Sequence, residues 1–389
     1  MSLETYVKLV RSDGSVYQYT PAHEPLTPKQ RSGFETRVAF AAAHVVVDPL
    51  RTMEPLTQAV IDWDATLAYR EHLWSLGFAV AEAMDTAQRG MGLDWPLALE
   101  LIKRSVPAAK TRGATVASGA GTDHLPAGKT QTLQDVTKAY LQQCEAIEAV
   151  DGRIILMASR ALAAVARHAD DYASVYASVL AQVRQPVILH WLGPMFDPAL
   201  AGYWGAPTIS LAMENCLSIV EAYKEKIDGL KISLLDADLE ISMRRRLPPN
   251  VRMYTGDDFN YDRLILGDDQ GHSDALLGIF DAIAPAASLA LTALDAGDVP
   301  GYQKLLAPTM PLSRHIFASP TQHYKSGVVF LAYLNGFQSH FRMVHGLESA
   351  RSVAHLCEMF VLADEARVLR DPELAMQRMQ IFLQLAGVG

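Results

Sequence analysis

The sequence predicts an α/β fold, a TIM (β/α)8 barrel with an N-terminal β-hairpin extension and a helical C-terminal subdomain. Three observations predict it. Between Arg37 and about residue 285, short apolar runs alternate with amphipathic helical periods, the pattern of βαβ units in a parallel sheet. Eight such runs can be named, and eight right-handed crossovers close a barrel rather than leave an open sheet. Beyond Pro285 only helical periods remain.

The elements follow in order. Val7–Arg11 and Ser15–Tyr19 flank Ser12-Asp13-Gly14, a turn signal between two alternating runs, and predict a hairpin that caps the barrel floor or pairs with a partner subunit. A polar stretch, Thr20 to Glu35, follows. The predicted strands are 38–47, 78–84, 114–119, 153–158, 186–191, 229–234, 251–255 and 275–280. Helical periods cover 61–76, 95–112, 133–150, 161–182 and 209–226, and the connection after the seventh strand is short and its helix weak. The C-terminal helices are 287–296, 299–306, 325–344, 347–362 and 372–385. Val328–Leu334 is apolar nearly all round, which suits a helix packed among helices. The domain boundaries implied are 1–36, 37–286 and 287–389, the last covering a barrel flank or making oligomer contacts.

A chain of 389 residues accommodates a barrel plus additions. Its net charge of -9 argues against nucleic acid or an anionic membrane as partner, and the short basic run Met243–Arg246 reads as a solvated helix end. No apolar run is long enough to span a bilayer, and Met1–Lys8 lacks a signal-peptide pattern. Cys144, Cys216 and Cys357 are sparse and odd in number, offering neither a disulfide framework nor a metal knuckle. The expectation is a cytoplasmic protein that acts on a diffusible small molecule, needs no cofactor or metal, and forms a homo-oligomer, a dimer or tetramer.

One residue stands out. Lys231 lies within Ile227–Leu235, an apolar run that reads as a strand buried on both faces. Desolvating an ammonium is costly, and a lysine in such a place tends to lose its proton and become a nucleophile for carbonyls. The alternative is a lysine at a strand end whose head reaches water or pairs with Asp257 or Asp258. In a barrel the active site collects at the C-terminal ends of the strands. Polar residues at those ends are Asp85, Thr86, Gln88 and Arg89; Gly121, Thr122 and Asp123; Ser159 and Arg160; His190; Ser233; and Asp257 and Asp258, while His272, Ser273 and Asp274 precede or open the eighth strand.

These residues carry a resemblance. Val47-Asp48-Pro49, Gly229-Leu230-Lys231, Gly256-Asp257-Asp258 and the segment from Gly271 to Ile283-Ala284-Pro285 stand in the order and near the spacing of motifs in one family. The chain thus resembles a divergent, domain-of-unknown-function branch of the dihydrodipicolinate synthase / N-acetylneuraminate lyase family of Schiff-base barrels. The resemblance implies a class I lyase or aldolase with Lys231 as its Schiff-base residue. Two departures qualify what it implies. The family's strand-five tyrosine is replaced by His190 in Leu189-His190-Trp191-Leu192-Gly193-Pro194, and an imidazole can carry protons near pH 7. Its structural alternative is a histidine bonded to a neighbouring carboxylate. After strand two, the family's Gly-Thr-Thr-Gly-Glu, which binds a 2-keto acid's carboxylate, is replaced by Asp85-Thr86-Ala87-Gln88-Arg89, where only Thr86 is retained. Asp85 would repel a carboxylate unless Arg89 or Arg160 compensates; both arginines are also candidates for surface ion pairs.

Three hypotheses follow. The first is a Schiff-base lyase acting on a small keto acid or sugar-derived acid, with Lys231 and His190 catalytic and Asp85, Thr86, Gln88, Arg89, Arg160, Ser233, Asp257 and Asp258 binding substrate. The second is a metal-dependent isomerase or hydrolase using Asp85, His190, Asp257, Asp258 and His272, although no HxH or HExxH spacing supports it. The third is a ligand-binding barrel without chemistry. An insertion, Met195–Ser210, with Phe196, Tyr203 and Trp204, is expected to form a lid or substrate wall.

Overall fold

The computed structural model describes residues 6–126 and 130–388, so the start of the Met1–Lys8 stretch lies outside the described residues. The chain divides into two compact units: Arg37–Ala43 with Ala79–Leu277, and Met1–Thr36 with His44–Phe78 and Gly278–Gly389.

The first unit contains the whole barrel. After the hairpin strands β1 (Val7–Val10) and β2 (Val16–Tyr19) come β3 (Ala39–Ala42), β4 (Ala79–Glu82), β5 (Val116–Ala120) and β6 (Arg153–Leu156). β7 (Val187–Leu192), β8 (Ile227–Ser233), β9 (Arg252–Thr255) and β10 (Asp274–Leu277) complete the set. The parallel strands β3 to β10 close in sequence order, with β10 pairing β3. All eight predicted strands are present. Phe40, Ala42, Ala81, Ala117, Ile155, Ile188, Tyr254 and Leu276 fill the interior, alanines on β3 to β5 facing the larger side chains of β6, β7 and β9. Gly229 makes room for one of these, since a Cβ there would stand 2.4 Å from the Tyr254 ring.

Helix ends follow local chemistry. Asp94 caps Trp95–Arg112 by accepting from Leu97 N, and Gly113 closes it at φ 66°. Thr132 and Asp135 form a capping box on Leu133–Glu148. The long helix expected over 161–182 is instead two, Arg160–Val165 and Ala169–Leu180. Ala166 is extended, and the Asp171 carboxylate accepts from Arg167 N at 2.7 Å to start the second helix. The weak helix expected after the seventh strand is Tyr261–Leu266, and the helix Ala237–Arg244, which ends in the basic run, has no bounds in the sequence reading because it is too brief to show a period. The first predicted strand ends early at Ala42 and the eighth at Leu277, where Ile279–Ala282 coils into a helical turn.

In the second unit, Gly14 (φ 82°) turns the hairpin, with the Asp13 carboxylate accepting from Ser15 N. The hairpin packs on the helices Val353–Glu365 and Pro372–Leu385 of the same unit. Val10 N donates to Cys357 Sγ, and Tyr19 Oη donates to Asp364 at 2.8 Å while its ring meets Phe360 edge-on. Asp364 also accepts from Ala22 N and His23 N, so one buried carboxylate ties the strand exit to the helix Val353–Glu365. The helix Thr309–Ile316 is a further element the sequence reading missed. The three cysteines are free and buried.

One buried acid makes the barrel unit pH-sensitive. Glu240 accepts from Ser273 Oγ at 2.7 Å and Thr255 Oγ1 at 3.0 Å, and burial pushes its pKa up from 4.5 to about 8. Between these values the folded chain holds a proton that the unfolded chain releases, so this group's contribution to stability falls as pH rises from 4.5 to 8. Glu240→Gln should flatten that part of the stability–pH curve in denaturant unfolding and raise the midpoint above pH 8; an unchanged slope would refute the assignment.

Candidate active site

The central residue of the site is positioned by β8. Lys231 is 7 % exposed, and its neighbours in register are His190 on β7 and Tyr254 on β9. Tyr254 belongs to the interior core, so this row of side chains points into the barrel. Gly256 leaves space for the lysine stem: a Cβ there would lie 2.8 Å from Lys231 Cε and 2.3 Å from Ser233 Oγ. No hydrogen bond or ion pair to Lys231 Nζ occurs among the described residues. Burial pushes its pKa down from 10.5, and the carboxylates of Asp85 and Asp258 oppose that shift without cancelling it.

His190 stands beside the lysine, fully buried. Its Nε2 lies 3.3 Å from Ser233 Oγ, and its Nδ1 is without a partner among the described residues. Burial, and then the positive charge of Lys231, push its pKa well below 6.5. The imidazole is therefore neutral at physiological pH, and the expected carboxylate partner is not its hydrogen-bonding neighbour.

A cavity of about 640 Å³ opens over the C-terminal ends of β4 to β7. His190 and Asp85 form part of its wall; Lys231 does not itself line it, but bears on both. Asp85 begins the 3-10 turn Asp85–Ala87, between Ala83 (φ 53°) and Gln88 (φ 67°), and its carboxylate makes no hydrogen bond among the described residues. Arg89 spends all five N–H groups on protein. Nε and Nη2 donate to the Asp123 carboxylate, Nη2 also to Gln143 Oε1, and Nη1 to the carbonyls of Ala83 and Gly119. The left-handed turn at Ala83 is what presents its carbonyl to Arg89. Gln143 continues the clamp by accepting from Gly121 N at 2.7 Å and donating to Asp123. Arg160 donates through Nε to Asp197 at 2.5 Å and through Nη1 to Gly90 O.

The sequence-predicted residues thus separate. Lys231, His190 and Ser233 come together, and Asp85 and Asp258 act on the lysine. Arg89 and Arg160 line the cavity but each is paired with an aspartate. Thr86 and Gln88 are buried in the turn outside the cavity wall, Gln88 donating to Met91 O. Asp257 is turned away: its carboxylate accepts from Phe259 N, Asn260 N and Asn260 Nδ2, fixing the loop before Tyr261–Leu266. Among the described residues no three His, Cys, Asp or Glu side chains converge in a metal-binding group.

The insertion supplies a wall through Asp197 and Leu200. Its anchor is Tyr203 and Trp204, both buried, with the Trp204 ring tilted against Tyr176 and edge-on to Trp191. Tyr203 Oη accepts from Ser159 N and shares a 3.0 Å bond with Tyr176 Oη. Next to it, Thr122 Oγ1 and Ser159 Oγ, both buried and both in the cavity wall, lie 2.6 Å apart. This hydroxyl pair was visible in the sequence only as two polar strand ends far apart in the chain.

Solved structures with a similar fold include members of the dihydrodipicolinate synthase family. The dihydrodipicolinate synthase from Aquifex aeolicus superposes with a TM-score of 0.63 at 13 % identity, covering 86 % of this chain and 99 % of its own. The chloride-inhibited dihydrodipicolinate synthase from Acinetobacter baumannii, complexed with pyruvate, gives 0.62 at 16 %, covering 86 % and 100 %. A prophage protein of the dihydrodipicolinic acid synthase family from E. coli K12, in complex with pyruvate, gives 0.64 at 12 %, covering 91 % and 99 %. No curated protein sequence matches the chain. At these identities the likeness is one of fold, a dihydrodipicolinate synthase-like barrel. With its own family model matched over residues 7–388, the chain belongs to the family described as protein of unknown function (DUF993).

Proposed function

We propose that the protein is a Schiff-base-forming lyase or aldolase acting on a small carbonyl compound, with Lys231 as nucleophile and His190 as proton carrier. The observation that carries this reading is a buried, unpartnered lysine amine in a barrel strand, beside a neutral imidazole that forms part of a cavity wall. The dihydrodipicolinate synthase-like fold supports it by analogy.

The chemistry follows from these groups. The uncharged Lys231 amine attacks the carbonyl carbon; the C–N bond forms as the carbonyl π pair moves to oxygen, which takes a proton. Loss of water leaves an iminium, which draws electrons from the adjacent carbon. In retro-aldol cleavage the C–C pair flows into the iminium to give a neutral enamine, and the leaving hydroxyl yields its proton to His190. The lysine's positive charge is one of two causes that depress the basicity of His190. That cause vanishes as the enamine forms, so the imidazole becomes the better base at the step that needs one. Protonation of the enamine by His190 and hydrolysis of the imine return the free amine. The same iminium and enamine serve condensation and dehydration.

Borohydride added with a substrate that turns over should place a reduced adduct on Lys231, read by peptide mass; an unmodified Lys231 rejects the mechanism. Lys231→Ala should lose activity by roughly 10³-fold or more. His190→Gln should lower kcat by about 10²- to 10⁴-fold while the adduct still forms, whereas loss of the adduct as well would give the histidine a structural role. The labelling rate should rise with pH as the amine loses its proton and level off through an apparent pKa below 10.5, because burial lowers that of Lys231. An inflection at or above 10.5 would contradict the desolvation argument.

A further inference from the structure

Resting on the Schiff-base reading, we infer that the carbonyl compound taken by Lys231 is a neutral hydroxylated aldehyde or ketone, carrying a hydroxyl rather than a carboxylate next to the carbonyl, with Asp85 and the Thr122–Ser159 pair holding its hydroxyls.

Charge is the first ground. A carboxylate next to a carbonyl is fixed one bond from the carbon that Lys231 attacks, so it must be accommodated close to the lysine. The carboxylate in the cavity wall that acts on Lys231 is that of Asp85, which has no hydrogen bond among the described residues. A second anion there meets like-charge repulsion. Both cavity arginines already have their charge matched by an aspartate, Arg89 by Asp123 and Arg160 by Asp197. Arg89 has all five N–H groups engaged, and Arg160 gives Nε to Asp197 and Nη1 to Gly90 O.

Hydrogen-bond capacity is the second ground. An ionised carboxylate only accepts, so Asp85 calls for a donor on the substrate, as a hydroxyl is. The Thr122–Ser159 pair calls for an acceptor. Ser159 Oγ accepts from Leu162 N at 2.9 Å and shares the 2.6 Å bond with Thr122 Oγ1. Two hydroxyls joined by one bond use one of their two protons. The other O–H has no acceptor among the described residues, and both side chains are buried in the cavity wall. A buried donor without a partner is costly, so a ligand oxygen in the cavity relieves it. A hydroxyl satisfies both demands, donating at Asp85 and accepting at the pair.

Borohydride trapping on Lys231 tests this with four probes: dihydroxyacetone, glycolaldehyde, pyruvate and acetone. Each variant is compared with the parent chain probe by probe, which removes differences in intrinsic reactivity, and circular dichroism verifies folding. Thr122→Val, which keeps the shape and removes the hydroxyl, should reduce trapping of dihydroxyacetone and glycolaldehyde by about tenfold and leave acetone unchanged. Asp85→Asn should raise pyruvate trapping by about tenfold and lower that of the two hydroxylated probes. Pyruvate trapped by the parent chain as well as dihydroxyacetone, with no gain in Asp85→Asn, overturns the inference and leaves the Schiff-base reading standing. An equal fall for acetone and dihydroxyacetone in Thr122→Val also overturns it. No adduct on Lys231 from any probe overturns both.

Discussion

Desolvation of one ammonium group governs this site. A parallel barrel buries its strands on both faces, and β8 carries Lys231 in a row that points inward beside Tyr254. Water is thereby exchanged for apolar neighbours, and no hydrogen-bond partner among the described residues compensates. The charged form loses most, so the equilibrium moves toward the free amine. The carboxylates of Asp85 and Asp258 restrain that movement. The same burial, with the lysine's charge, keeps His190 neutral. One physical cause thus sets the protonation of both groups.

The charges around the cavity are arranged by pairing. Arg89 is matched to Asp123 and Arg160 to Asp197, which balances both guanidinium charges and leaves Arg89 no N–H for an anion. Arg89 is buried, and its five bonds tie the turn after β4 to the ends of β5 and to Gln143 on the helix Leu133–Glu148. Removing Asp123 would strand the buried charge of Arg89. The clamp is therefore scaffolding for the turn that presents Asp85. The insertion after β7 serves a similar end, since Tyr203, held among aromatic rings, fixes the backbone of Ser159.

Much of the fold was legible in the sequence for a physical reason. Strands buried on both faces must be continuous apolar runs, and helices between them must show one apolar face, so eight runs and their spacers were countable. Elements shorter than about two turns, such as Tyr261–Leu266, carry too few residues for a period to register. Strand ends were misread where an apolar run outlasted its ladder: residues 43–47 are apolar but for His44, yet Val47 bridges to Ile61 instead. The helix break after Val165 was hidden because Ala166, Arg167 and His168 are compatible with a helix, and only the Asp171 cap decides otherwise.

The site divides along the same line. By itself the sequence determined that a lysine lies in a buried strand, that a histidine ends the strand before it, and that Asp85 stands where a carboxylate-binding loop was expected. These are statements about residue type and local pattern, which a linear chain carries in full. Tertiary structure alone decided who partners whom: that Arg89 closes on Asp123, that Asp257 turns to its own loop while Asp258 acts on Lys231, and that Thr122 meets Ser159. Such pairings join residues distant in the chain or separate neighbours within a loop, as Asp257 and Asp258 after β9. Their energies depend on distance and burial, which exist only once the barrel has closed.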